Sequence, residues 1–129
     1  METNNKEILI NNDSLIRDIQ YEFSACYPFL KIEFLEKDRN AKNGRSVLLA
    51  PNIPLKQLAS IHPRKIDINK NRTVAEVSGE LQSALGVTVQ VSRKSGNVWN
   101  AISISDSWTL QSQNVAGEFI SGQMAVNTA

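Results

Sequence analysis

With one cysteine and one histidine in 129 residues, this chain has little scope for thiol or imidazole chemistry. Cys26 has no internal partner for a disulfide, and it falls on the apolar face of an expected helix, the setting of an inert buried thiol. His62 lies between Ile61 and Pro63 at the end of a short helical stretch, a capping or solvent-facing position. Zinc sites, nucleophile triads and dithiol exchange all need more of these residue types at closer spacing. The six glycines never cluster after a strand, so no phosphate-cradling loop or dinucleotide fingerprint is present and no cofactor is expected. No apolar run approaches the ~20 residues that span a bilayer. The opening METNNKEILI is polar and partly acidic, where a signal peptide is basic and then apolar. These absences point to a cytoplasmic protein without membrane contact.

What is present is close to a globular average: 41% hydrophobic and 21% charged residues, at the usual length of one domain, 1–129. The net charge of +1 hides an uneven distribution. Residues 1–36 hold three basic against seven acidic side chains, 37–72 hold nine against two, and 73–129 hold two against four. A basic middle therefore lies between acidic flanks.

Ile8 and Ile10 alternate with polar neighbours as one face of a strand does, and Asn12-Asp13-Ser14 reads as a turn. Asp13 or Ser14 is placed to cap a helix from Leu15, with Ile16, Ile19, Phe23, Cys26 and Tyr27 at helical spacing and Pro28 as its stop. Leu30, Ile32 and Phe34 form a second strand. Residues 37–45 are polar and read as an exposed loop. Val47 to Ala50 suggests a short strand, and Leu55 to Ile61 one or two helical turns closed by His62-Pro63.

From Lys65 the opening arrangement recurs. Ile66 and Ile68 alternate, Thr73-x-x-Glu76 offers a capping box, and Val74, Val77, Leu81, Ala84 and Leu85 line a helix that Gly86 closes. Val87, Val89 and Val91 then form a strand. The units at about 6–37 and 65–94 align with an offset of 58 that becomes 57 before the second strand, and apolar positions coincide in every element. After Val91 the pattern predicts a β-hairpin with Gly96 at the turn. A last helix follows from Trp108 or Thr109, capped by Asp106 or Ser107 and bearing Leu110, Val115, Phe119 and Ile120; residues 123–129 read as a frayed tail. The fold class expected is α/β (α+β): a mixed sheet of five to six strands with three helices mainly on one face, built from two similar βαβ units plus a C-terminal β-hairpin and helix. Helical crossovers of this length predict parallel pairing within each unit.

The string Arg93-Lys94-Ser95-Gly96-Asn97-x-Trp99, followed by Asp106-x-Trp108-Thr109-Leu110-x-x-Gln113-Asn114, resembles a set of small bacterial proteins of uncharacterised function. YPFLKIEF and PLKQLASIHP extend the likeness over nearly the whole chain. The resemblance implies a stand-alone domain with a notable hairpin-to-helix segment, and it transfers no catalytic residue.

Three readings of function compete. The first is a non-enzymatic interaction domain that binds a protein partner through the hairpin, with Arg93, Lys94, Asn97 and Trp99 as binding residues, because tryptophan beside Arg, Lys and Asn suits an interface hot spot. The structural alternative has Trp99 and Trp108 packing the hairpin against the last helix while Asp106 caps it. The second reading is nucleic-acid or polyanion binding through Lys37, Arg39, Lys42, Arg45, Arg64 and Lys65. The sequence pI of about 7.9 and the 6% aromatic content argue against it. The third is an enzyme using carboxylates or lysines in a cleft; Glu76 and Glu80, one turn apart, are a candidate pair, but such a pair on a helix exterior is usually a solvated face. The first reading is preferred, with no metal and no catalytic residue expected.

Overall fold

The computed structural model describes residues 6–38, 40 and 42–127, and it has the α+β class expected, with six strands and three helices. In chain order these are β1 (Glu7–Ile10), α1 (Ile16–Cys26), β2 (Leu30–Lys37), β3 (Ser46–Leu48), a 3-10 turn (Leu55–Gln57), β4 (Arg64–Asp67), α2 (Val74–Leu85), β5 (Thr88–Ser95), β6 (Val98–Ala101) and α3 (Leu110–Asn127). Alternation sets the inner face of each strand. Ile8 and Ile10, Ile66 and Ile68, Ile32 and Phe34, and Val89 and Val91 are buried and join the apolar faces of α1 and α2 in one cluster.

The pairing corrects one expectation. β1 and β2 do not pair, nor do β4 and β5; instead β1 pairs with β4, and a second sheet runs β3-β2-β5-β6, every pair antiparallel. A helical crossover returns a strand parallel to its predecessor only when both join the same sheet. Here each crossover carries the chain from one sheet to the other, so the partner comes from the other unit. Ile8 lies opposite Ile66, 58 positions on, and Glu33 opposite Gln90, 57 positions on. These registers are those of an approximate two-fold axis between the units.

The same relation governs the helix starts. The N–H groups of Ile16 and Arg17 donate to the carbonyls of Ile53 and Pro51 at 3.0 and 2.8 Å, and those of Val74 and Ala75 to Trp108 and Asp106 at 3.1 and 2.8 Å. Leu55 N–H donates to Ser14 O, and Leu110 N–H to Arg72 O, each at 2.8 Å. Each unit's last segment thus satisfies donors that a helix start leaves unpaired. Asp13 and Ser14 do not cap α1: Ser14 Oγ accepts from Asn11 N–H at 3.1 Å, Leu15 is the N-cap residue, and Asp18 accepts its N–H at 2.8 Å. Thr73 and Glu76 do form the capping box, with bonds of 3.1 and 2.9 Å, and Gly86 closes α2 at φ +71°. Asp106 caps α2 through its backbone rather than α3 through its side chain; Thr109 Oγ1 accepts from Ser112 N–H at 3.1 Å at the start of α3.

α3 differs most from expectation. Val115 and Phe119 are exposed, because they stand five and nine positions after Leu110, about 140° and 180° around the helix from it. The face that packs on the sheet is Leu110, Gln113, Asn114, Gly117 and Ser121. The helix also passes the point where fraying was expected and runs through Asn127. No helix among the described residues is long and apolar enough to cross a membrane.

Candidate interaction site at the β5–β6 hairpin

β5 and β6 join through Gly96-Asn97, with Ser95 opposite Val98 and Gly96 at φ +69°. A positive φ at the first of two turn residues, where a Cβ would be strained, is the type II′ arrangement that suits strand twist. The hairpin is fastened to its neighbours by backbone and side-chain bonds. Gly96 N–H donates to Ser121 Oγ at 3.1 Å, Lys94 N–H to Phe29 O at 2.9 Å, and Phe29 N–H to Asn114 Oδ1 at 2.8 Å. A Cβ on Gly117 would sit 2.9 Å from Phe29 Cβ and 3.1 Å from Arg93 Cγ, so glycine is what lets α3 lie this close.

Period two divides the expected binding set between the two faces of the hairpin. Arg93 shares the helix-side face with Val89 and Val91. Lys94 and Trp99 lie opposite each other on the face that carries no helix, and exposed Asn97 is at the tip. The Lys31 ammonium stands 5.1 Å from the Trp99 ring centroid and 3.6 Å from Glu33 on the same open face. Trp99 therefore packs against a lysine rather than against α3, and it stays 36% exposed; Trp108 is also exposed.

Arg93 enters a network that no sequence motif marks. Its Nη1 donates to Gln113 Oε1 at 3.0 Å. Gln113, fully buried, is held by donating Nε2 to Ser105 O and Oγ at 2.7 and 3.0 Å. Arg93 Nε is buried with no acceptor among the described residues. A groove of about 240 Å³ opens here, lined by Arg93, Asn100 and residues 101–105. A larger groove of about 410 Å³ lies over α1, but Arg17, Asp18, Tyr21 and Glu22 belong to one helix surface and do not converge. Burial and the nearby Asp18 push the Glu22 carboxyl up from its ordinary pKa.

The expected polyanion set is divided between the β2–β3 connection and β4. Lys37, Lys42 and Arg45 are exposed around the β2–β3 connection, and Arg39 lies outside the described residues. Arg64 and Lys65 are on β4 in the other sheet, where they pair with Glu80 at 2.7 Å and Glu7 at 3.8 Å. Arg72 shares Glu80. Glu80, considered above as half of a carboxylate pair, is thus an ion-pair acceptor, and Glu76 is a helix cap whose pKa is lowered first by the Thr73 backbone bond and then by its hydroxyl. No family model, curated protein or solved structure matches the chain.

Proposed function

We propose that this domain is a non-enzymatic protein-binding module whose partner adds an extended segment to the free edge of β6. The observation that supports this is an edge left open beside a hairpin that is held in place. β6 pairs only with β5 among the described residues, and all four of its residues are exposed. Ile102 N–H donates to Val91 O, so by antiparallel alternation the backbone groups of Trp99 and Ala101 point away from β5. Natural edges of this kind are usually blunted by charge or proline, and VWNA has neither. Strand addition would draw affinity from those main-chain groups and selectivity from Trp99 and its neighbours. The polyanion reading is weaker, because Arg64, Lys65 and Arg72 already face carboxylates.

Ala101→Pro tests the proposal. It removes an outward N–H without removing a β5–β6 bond, and proline is tolerated on edges. Affinity capture from the native cell should retain a protein on the unaltered domain and lose it on Ala101→Pro and Trp99→Ala, with circular dichroism unchanged. Equal retention by both variants, or no protein retained at all, overturns the reading.

A further inference from the structure

We infer that the groove formed by Arg93, the end of β6 and the segment that follows it is a carboxylate-binding site with Arg93 as its anchor. Arginine stays ionised at any physiological pH and offers five N–H donors in a planar fork. Among the described residues one donor is used, by the neutral Gln113 oxygen, and the Nε–H is buried with no acceptor. None of the ion pairs among the described residues includes Arg93: Glu7, Glu33 and Glu80 take Lys65, Lys31, Arg64 and Arg72. A half-buried cation with so few acceptors is unfavourable unless something else supplies them.

The surroundings fix the guanidinium for that purpose. Gln113 is oriented by its two bonds to Ser105, and Gly117 leaves room for the Arg93 stem under α3. Two hydroxyls, on Ser103 and Ser105, and the Asn100 amide line the groove with Ala101, Ile102 and Ile104, a mixture of polar groups and apolar wall. Among the described residues Arg93 is the only cation in that lining. One positive charge matches a monoanion with two coplanar oxygens, which is a carboxylate, better than a phosphate dianion. The acid is either a free small carboxylate or an acidic side chain of a bound peptide, and Asn100 on β6 places the groove next to the edge proposed above. The inference does not depend on that proposal, since a free acid fills the groove without strand addition.

The test is nuclear magnetic resonance of the full chain, following the Arg93 Nε–H and the amides of residues 101–105. The probes are sodium acetate and the blocked peptide acetyl-Ala-Ala-Asp-Ala-Ala-amide, each against sodium chloride at equal ionic strength. Saturable shifts of these signals with acetate, weakened at least tenfold in Arg93→Lys, are expected. Peptide binding tighter than acetate assigns the source to a protein side chain; acetate binding at least as tight assigns it to a free acid. Because Arg93 also packs under α3, a second variant is needed. Ile104→Glu alters a side chain that is 98% exposed, puts a tethered carboxylate into the lining, and should abolish the acetate response while leaving the fold intact. No saturable shift with either probe, or equal shifts in Arg93→Lys and Ile104→Glu, overturns the inference.

Discussion

The two halves of the chain place strand, helix, strand, edge strand and a closing segment in the same order, but the closing segment is three residues long in the first half and eighteen in the second. Both closing segments begin alike. Leu55 and Leu110 are fully buried, and each N–H bonds to a carbonyl just ahead of its own half's helix. The first half stops there and continues to β4. The second goes on as α3, whose Gln113, Asn114, Gly117 and Ser121 hold β5, the Gly96 turn and the Phe29 backbone. The difference therefore separates two jobs: the shared beginning completes helix starts, and the extension supplies Gln113, which holds the Arg93 guanidinium at its groove. If that division is right, Leu55→Ala and Leu110→Ala each lose about 2–5 kcal/mol of stability in urea unfolding, the usual cost of a large buried cavity. The comparison breaks if Leu110→Ala loses stability while Leu55→Ala leaves the midpoint unmoved.

The elements were legible in the sequence because burial of one face imposes a period of two or of 3.6, and Ile8, Ile10, Ile66, Ile68 and the valines of β5 keep it. Pairing was not legible, because alternation says which face of a strand is buried but not which edge is bonded. The two-fold registers belong to the pairing, although their offsets of 58 and 57 are those of the aligned apolar residues. The packing face of α3 was missed for a different reason. Amides and hydroxyls satisfied by backbone groups look in sequence like a solvated surface, and Val115 with Phe119 look like a core. The available signal was the spacing of Leu110, Gln113, Asn114, Gly117 and Ser121, one helical face of amides and small residues. Of the site, Arg93 and Trp99 were found by residue type, but their separation onto opposite faces follows from parity alone.

Tyr27 sharpens the comparison by breaking its symmetry. Its hydroxyl donates to Ile68 O in the other half at 2.6 Å, whereas the position 58 residues on is Leu85, which makes no such bond. Burial pushes the Tyr27 phenol up to about 12, with smaller contributions from Cys26 and Asp67. The folded state thus prefers the neutral phenol, so its contribution is fully present below the unfolded value near 10 and is lost as pH rises toward 12. Thermal melts should show a midpoint falling across that window. Tyr27→Phe should cost roughly 1–3 kcal/mol at neutral pH, by stranding a buried carbonyl, and should flatten the alkaline fall. An unchanged alkaline slope in Tyr27→Phe would assign the titration to another group.

The smallest expected effect concerns the helix starts themselves. α2 has both halves of a capping box, from Thr73 and Glu76, whereas at α1 Asp18 supplies one half and Leu15 has no oxygen to supply the other. Both starts also receive two backbone carbonyls from their closing segments. Thr73→Ala should therefore cost about 1 kcal/mol, the ordinary value of a lost N-cap. Leu15→Thr, which adds the missing acceptor at the expense of some apolar contact, should change stability by no more than about 0.5 kcal/mol. Amide exchange reads the two contributions separately: Glu76 N–H should exchange faster in Thr73→Ala, while Val74 and Ala75, held by Trp108 and Asp106, should keep their protection. If all three amides accelerate together, the carbonyls of the closing segment depend on the Thr73 side chain, and α3 begins where it does because of the cap rather than alongside it.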